Sequence, residues 1–238
     1  METILIGIGN RARQGKDWIA ERLQQLTINN FQIHTLHFAD ALYEEVRNKE
    51  RKYPLIKIED YSSSSNHKFI SILHDAKTGN YMTNRSDIVK SLYKEMQERN
   101  ITEYWGMDEK DSRMLQVWGT DIRRMYFSDR YWVNKLHEKV YEIKSNNQNN
   151  IILIPDTRFK NEVSYIKDNG GYYISVWRLN PNNSRYIAPD RDPDHPSEKE
   201  LDAFQADYYL IAKSGDTETL QRDAVKILMD ILNKEALK

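Results

Sequence analysis

The sequence lacks the features that mark secreted and membrane proteins. Its 238 residues include no cysteine, which excludes disulfides, thiolate metal sites and cysteine nucleophiles together. No apolar run approaches the ~20 residues that a membrane helix needs, and the start of the chain lacks the basic stretch of a signal peptide. We therefore expect a soluble protein of the reducing cytoplasm that has no membrane partner.

The chain also lacks an excess of charge of either sign. Lys and Arg total 35 against 36 Asp and Glu, which gives a net charge of -1. A protein dedicated to binding nucleic acid usually carries a basic excess, so a nucleic-acid partner is disfavoured. Hydrophobic residues make up 39% and aromatic residues 11% of the chain, which is too much for a disordered protein and is typical of a packed globular one.

Short apolar runs alternate with amphipathic stretches along most of the chain. The runs predict strands and the amphipathic stretches predict helices. Predicted strands are 4–6, 31–38, 151–154, 172–177 and 208–212. Predicted helices are 16–26, 39–49, 86–98, 114–126, 132–143, 160–169 and 217–232. This order predicts an α/β fold whose mainly parallel sheet is covered by helices on both faces.

Two polar segments interrupt the alternation. Residues 50–112 contain a run of serines and several turn residues, and we expect an inserted helical or loop segment there. Residues 179–197 are rich in Pro, Asp and Arg. Because loops of this length inside a compact domain are usually functional or disordered, the second segment is a candidate lid.

The first predicted strand leads into a glycine-containing turn similar to a phosphate-binding loop. The P-loop pattern is Gly, four residues, then Gly-Lys-Ser/Thr, between a strand and a helix. Here Gly15 and Lys16 match, whereas Asn10 replaces the first glycine and Asp17 the hydroxyl residue; a second register uses Gly9 with one extra loop residue. Asn tolerates positive φ, and loop amides, the helix N-terminus and Lys16 could still bind a polyphosphate. The alternative is a simple strand-to-helix turn with a surface lysine.

Polar residues also follow two other predicted strands. Asp156, Thr157 and Arg158 come directly after the apolar run 151–154, and ligands of open α/β sheets bind at the carboxyl ends of strands. An Asp there could orient Mg²⁺ or a hydroxyl group, and an Arg could grip a phosphate. The alternative is a helix N-cap formed by Asp156 or Thr157. Asp40, after the second strand, could likewise cap a helix or contact substrate.

Two further positions have both a structural and a functional interpretation. Gly119 lies inside a predicted helix, where Gly costs ~1 kcal/mol relative to Ala, so the sequence predicts a helix break or a close approach by packing or by a ligand. Ser197 precedes a helical stretch and is the predicted N-cap there.

Taken in order, these segments resemble the bacteriophage deoxynucleoside monophosphate kinases. The matching pieces are residues 13–17, 38–40, 115–116, 119–121, 129–133, 155–158, 162, 195, 197–198, 201, 207 and 211. The resemblance implies a P-loop NTPase-like three-layer sandwich with an inserted helical segment that binds the nucleoside monophosphate (NMP), forming a single domain over 1–238. It also implies transfer of the ATP γ-phosphoryl group to a deoxynucleoside monophosphate (dNMP), giving the diphosphate (dNDP), for phage DNA precursor synthesis in the host cytoplasm.

The resemblance also implies two sets of site residues. Those for ATP are Arg13, Gln14, Gly15, Lys16, Asp17 and Trp18, with Asp17 also holding Mg²⁺. Those for the acceptor are Asp40, Arg113, Gly119, Thr120, Trp132, Asp156, Arg158 and Glu162. Lys16, Asp156 and Arg158 would act in the transfer itself, and the Trp132 ring could stack on the base. Tyr43 stands where the family often has a lysine, so another cation must serve there.

Alternatives remain open for the residues of the lid, for the substrate and for the oligomeric state. One or more of Arg178, Arg185 and Arg191 could close over the site and exclude water. A kinase acting on a modified pyrimidine, as a nucleotide or within DNA, is one alternative function. A non-catalytic nucleotide-binding module is the other, suggested by the altered loop positions. A homodimer is compatible with the sequence.

Overall fold

The computed structural model describes residues 2–28, 30–47, 53–54, 103–104, 119–120, 123–124, 128–189, 191 and 193–237. The chain divides into two compact units, one formed by 1–39 and 133–238 and the other by 40–132. Most of the predicted insertion at 50–112 and the predicted helices 86–98 and 114–126 lie outside the described residues. Within the described ranges, no helix combines the length and the apolar character needed to cross a bilayer.

The first unit is built on a five-stranded parallel sheet with strand order β2-β5-β1-β6-β7. Its strands are β1 (Thr3–Gly9), β2 (Phe31–Thr35), β5 (Asn149–Thr157), β6 (Tyr172–Leu179) and β7 (Tyr208–Lys213). The second unit contains the short antiparallel pair β3 (Tyr53–Pro54) and β4 (Glu103–Tyr104). The predicted α/β fold with a parallel sheet is confirmed.

The described helices follow the predicted amphipathic stretches closely. They are α1 (Lys16–Gln24), α2 (Asp40–Arg47), α3 (Tyr131–Lys144), α4 (Lys160–Asp168), α5 (Pro196–Lys199) and α6 (Thr217–Glu235). Helices α1 and α6 cover one face of the sheet, where Ile19 and Leu228 join a buried cluster with Ile6 of β1. Helix α4 covers the other face, and Val163 packs there with Tyr173 of β6. Helices on both faces of the sheet give the three-layer arrangement.

Strand β1 extends further than its apolar run suggests. The sequence indicates a strand over 4–6 and then a glycine-rich turn, but Gly7 and Gly9 both lie within β1. A Cβ atom on Gly7 would come 2.4 Å from Ile166 Cδ1 of α4, and one on Gly9 would come 2.5 Å from the Thr157 carbonyl oxygen. Close packing against the backbone, rather than a turn, therefore requires glycine at position 9. A Cβ atom at position 7 would require the end of the Ile166 side chain to move. Gly9 pairs with Thr157 of β5, which brings the ends of the two central strands together.

The predicted cap at Ser197 is wrong, and so is the alternative of a cap at Asp156 or Thr157. The N-cap of α5 is His195, whose Nδ1 accepts a hydrogen bond from the Ser197 backbone N–H at 3.2 Å, and Ser197 itself lies inside the helix. Neither Asp156 nor Thr157 caps α4, which has Phe159 as its N-cap. The chain follows β5 for longer than the apolar run suggests, so both residues belong to the strand.

Candidate active site

The loop between β1 and α1 is fixed by left-handed backbone conformations and by bonds to the sheet. Positive φ angles occur at Asn10 (103°), Arg13 (56°) and Gly15 (92°), so Asn10 has the positive φ that was expected of it. The Asn10 backbone N–H donates to the Thr157 carbonyl at 3.1 Å, and its Nδ2 donates to Ser175 Oγ at 3.0 Å. The loop is thereby attached to the end of β5 and to the middle of β6.

Lys16 lies at the base of this loop and is buried, with 4% of its surface exposed. Its Nζ donates to the carbonyl oxygen of Arg11 at 2.6 Å. Burial lowers the pKa of Lys16 to about 7, and the charge of Arg158 adds to this, whereas Asp17, Glu198 and Asp156 oppose it. A buried lysine at a loop is not the surface lysine of a simple turn, and its position suits contact with a bound anion.

The N-terminus of α1 contributes backbone donors beside Lys16. Gly15 is the N-cap, and the amides of the first turn lie at the positive end of the helix dipole. Asp17, in that first turn, has a side chain that is 83% exposed, and its carboxylate lies 3.7 Å from His37 Nε2. Trp18 instead packs partly buried against the core below α1.

Asp17 is the residue predicted to hold magnesium. Among the residues that the structure describes, no group of three or more His, Asp or Glu side chains could hold a metal ion. Mg²⁺ usually takes one or two carboxylates together with substrate phosphates and water. The exposed carboxylate of Asp17 next to Lys16 fits that mode of binding, and the role remains a prediction.

Asp156 and Arg158 lie at the carboxyl end of β5, next to the loop. The Asp156 carboxylate accepts hydrogen bonds from the backbone N–H groups of Phe38 at 3.0 Å and Ala39 at 2.8 Å. Burial raises the pKa of Asp156, while His37, these two hydrogen bonds and Arg158 lower it. Asp156 therefore joins the end of β5 to the segment that follows β2.

Arg158 is held by the segment that carries α5. Its Nη1 donates to Glu198 Oε1 at 2.5 Å and to the Ser197 carbonyl at 3.3 Å. Glu162 approaches Arg158 from α4, but its Oε2 accepts from the backbone N–H groups of Arg158 at 2.7 Å and Phe159 at 3.1 Å. The buried Glu162 thus caps the start of α4, and its predicted contact with substrate remains a prediction.

Gln14 and the first predicted lid arginine belong to one hydrogen-bonded assembly with the loop. Gln14 is buried; its Nε2 donates to the Tyr186 carbonyl at 3.1 Å, and its Oε1 accepts from the Arg178 backbone N–H at 2.6 Å. The Arg178 guanidinium lies 4.1 Å from the centre of the Tyr186 ring, and its Nη1 donates to the carbonyl of exposed Arg13 at 3.4 Å. The start of segment 179–197 is therefore fixed to the loop.

The other two predicted lid arginines lie within the same segment. The Arg185 guanidinium lies 4.3 Å from the centre of the Trp177 ring. Its Nη1 also donates to Asp202 Oδ1 at 2.6 Å. Arg191 is half-buried. Their closing over a substrate remains a prediction.

The remaining predicted acceptor residues belong to the second unit. Within it, Gly119 and Thr120 are buried. Trp132 is buried as well, and its Nε1–H donates to the Gly119 carbonyl at 2.9 Å. A Cβ atom on Gly119 would come 2.9 Å from Leu42 Cδ2, so packing explains this glycine. Asp40 begins α2, and Arg113 lies outside the described residues.

Sequence reasoning missed the two acidic residues that complete this site. Glu198 Oε2 accepts from the Ala12 backbone N–H of the loop at 2.9 Å, and Asp202 forms an ion pair with Arg11 of the loop. The only signal in the sequence was that Glu198 matched the resembled family. That match does not predict the contact of Glu198 with Ala12, a residue 186 positions earlier in the chain.

Fold and comparison together identify the class of the protein. The parallel sheet, with a Gly-Lys loop between its first strand and first helix, is P-loop NTPase-like in architecture. The family described as deoxynucleotide monophosphate kinase matches residues 60–223. The chain belongs to this family. The matched stretch includes Asp156, Arg158 and Glu198 but begins after the loop that carries Lys16.

A viral relative supports the same family. The protein named "Putative deoxynucleotide monophosphate kinase" from Acanthamoeba polyphaga mimivirus is 32% identical to this chain over 103 residues. The alignment covers 40% of this chain and 48% of the relative, so the chain spans about half the length of that protein.

Proposed function

We propose that the protein is an ATP-dependent deoxynucleoside monophosphate kinase. The observation that carries the proposal is the buried Lys16, which lies at a strand-to-helix loop beside Asp156 and Arg158 of the neighbouring strand. Membership of the deoxynucleotide monophosphate kinase family supports the choice of acceptor.

The donor side of the proposed site is the loop and the start of α1. The amides that follow Gly15 and the charge of Lys16 would bind the β- and γ-phosphates of ATP, because both favour a polyanion at this helix end. Asp17 would hold Mg²⁺ together with phosphate oxygens. The ion would supply charge neutralisation during transfer.

The acceptor side of the proposed site includes Arg158, which would bind the phosphate of the dNMP. In the transfer step an oxygen of that phosphate forms a bond to the γ-phosphorus, and the bond from the γ-phosphorus to the β,γ-bridging oxygen breaks. ADP leaves and the dNDP remains. Positioning and electrostatic stabilisation supply most of the catalysis in this class of reaction, which is the task assigned to Lys16 and Arg158. On the resemblance alone, the proposal retains Asp40, Arg113, Gly119, Thr120 and Trp132 as acceptor residues.

The proposed biological role is supply of deoxynucleotides for viral DNA synthesis in the cytoplasm of an infected host. The partners are then small nucleotides. The viral relative supports this setting.

The test is an assay of ADP formation from ATP and Mg²⁺ with each of four dNMPs, with hydroxymethyl-deoxycytidine monophosphate and with DNA that contains modified pyrimidines. We expect turnover with at least one dNMP and a loss of at least 100-fold in Lys16→Met, with no change in Lys226→Met, an exposed lysine on α6. ATP binding without ADP formation for any acceptor would instead support a nucleotide-binding module. Activity only on DNA that contains modified pyrimidines would support a base kinase.

A further inference from the structure

Two carboxylates of one short segment join the loop to arginines from other parts of the first unit. Glu198 joins the Ala12 N–H to Arg158, and Asp202 joins Arg11 to Arg185. We propose that Glu198 is a positioning residue, which holds the loop and the Arg158 guanidinium in a single geometry for phosphoryl transfer. This inference rests on the proposed function.

Both carboxylate oxygens of Glu198 accept hydrogen bonds, and together these bonds form a bridge between Arg158 and the Ala12 backbone. Oε1 accepts from Arg158 Nη1 at 2.5 Å and Oε2 accepts from the Ala12 N–H at 2.9 Å. The residue is only 4% exposed. A buried carboxylate is costly unless it is paired and hydrogen-bonded, and charge-assisted bonds of this kind are short and strong. The two contacts therefore restrict the Arg158 side chain to one orientation relative to the loop.

The segment itself is anchored so that Glu198 can act in this way. Helix α5 begins after His195, whose Nδ1 accepts from the Ser197 N–H, and the Ser197 carbonyl adds a second acceptor for Arg158 at 3.3 Å. Four residues after Glu198, Asp202 accepts from Arg11 Nε at 3.1 Å and pairs with Arg11 Nη2. The loop is thus held at two successive residues, Arg11 and Ala12.

Charge supports the same assignment. Lys16, Arg11 and Arg158 are cations at one loop, and Glu198 acts electrostatically on Lys16 and Arg11 as well as pairing with Arg158. Together with Asp17 and Asp156, the negative charge of Glu198 offsets the repulsion between Arg158 and Lys16. Glu198 therefore keeps Arg158 beside Lys16, where both can reach phosphate oxygens.

The test compares Glu198→Gln with Glu200→Gln. Glutamine keeps the shape and one acceptor oxygen but loses the charge that holds Arg158. Glu200 is a matched control on the same segment, because its Oε1 accepts from the Lys160 N–H instead of from the loop. We expect kcat to fall about 10- to 100-fold in Glu198→Gln, as loss of a charged hydrogen bond predicts, with the KM for ATP within about threefold and Glu200→Gln like the wild type.

A double-mutant cycle with Arg158→Met separates positioning from a general structural role. If Glu198 acts through Arg158, Glu198→Gln adds less than a threefold loss in kcat to Arg158→Met. Losses that multiply, or a kcat within twofold of wild type in Glu198→Gln, would overturn the proposal. If Glu198→Gln does not fold, Glu198→Asp, which retracts the carboxylate, takes its place with the same expectations.

A readout that needs no activity separates this inference from the proposed function. The amide proton of Ala12, observed by NMR in the full chain, should shift upfield in Glu198→Gln and stay unchanged in Glu200→Gln. If the wild type is inactive but the Ala12 amide resonance shifts as expected in Glu198→Gln, the proposed kinase function is wrong and the bridge formed by Glu198 is supported. An unchanged Ala12 resonance in Glu198→Gln overturns the bridge itself.

Discussion

Replacing Lys16 by methionine should stabilise the protein while abolishing its activity. Lys16 is buried at the loop, and burial lowers its pKa from 10.5 to about 7. A base whose pKa is lower in the folded chain than in the unfolded chain binds its proton more weakly when folded. Its charge therefore opposes folding at every pH at which the unfolded chain is protonated. Methionine retains most of the apolar stem without the charge.

The size of the effect follows from the two pKa values. The difference between 10.5 and about 7, at ~1.4 kcal/mol for each factor of ten in the proton equilibrium, corresponds to about 5 kcal/mol of destabilisation. The variant also loses the hydrogen bond from Nζ to the Arg11 carbonyl, which costs about 1–3 kcal/mol for a charged donor. The net gain should be about 2–4 kcal/mol, or about 4–16 °C in Tm for a chain of this size.

Urea denaturation at pH 6 and pH 9 provides the assay. The gain in Lys16→Met over wild type should be largest at pH 6 and smaller at pH 9, because the cost of the buried charge fades as the pH rises toward the unfolded pKa. Lys226→Met is the control; its side chain is 70% exposed, so its stability should change by less than about 0.5 kcal/mol. A folded Lys16→Met variant that is less stable than wild type at both pH values would refute the reasoning.

Three further predictions concern Asp202 and two glycines. Burial alone would raise the pKa of Asp202, but the hydrogen bond from Arg11 and neighbouring positive charges lower it, so Asp202 stabilises the fold above pH ~4 and loses this effect as the pH falls. Asp202→Asn should therefore lose less stability than wild type between pH 6 and pH 3 in urea titrations, and equal losses would contradict the assignment. Gly9→Ala should destabilise by about 1–3 kcal/mol through overpacking, because its Cβ would lie 2.5 Å from the Thr157 carbonyl. A Tm of Gly9→Ala within about 1 °C of wild type would contradict this, because it would show that β1 and β5 accommodate the added Cβ atom without strain. Gly170→Ala, where a Cβ meets nothing within 4 Å but φ is 74°, should lose only about 1 kcal/mol.

The parallel sheet was predictable because its signals are local. Runs such as 151–154 are apolar throughout, which is typical of a strand buried on both faces, and β5 was found there. The strand ends were less predictable. The sequence predicts loop residues at Gly7, Gly9 and Asp156, because all three follow the apolar runs. In the structure they belong to the sheet, where they pair with neighbouring strands or pack against α4.

The loop between β1 and α1 was predictable as a candidate phosphate-binding site. The residues that contact this loop were not predictable. Gly15 and Lys16 form a recognisable pair at a strand-to-helix junction, and Asn10 has the positive φ that the pattern requires. Whether Lys16 was buried depended on side chains distant in sequence. The contact between Glu198 and Ala12 joins residues 186 positions apart, and no periodicity or spacing encodes such a contact. The N-caps of α4 and α5 were not predictable for a related reason, because the path of the folded chain decides where each of these helices begins.

The central claim is that this chain transfers the γ-phosphoryl group of ATP to a dNMP. ATP labelled in its γ-phosphate, incubated with Mg²⁺, the full chain and each dNMP in turn, tests it most directly. We expect the label to appear in the β-phosphate of a dNDP, in an amount equal to the ADP formed, and neither product to form with Lys16→Met. Label that is released only as inorganic phosphate, or that stays in ATP with every dNMP, would contradict the claim.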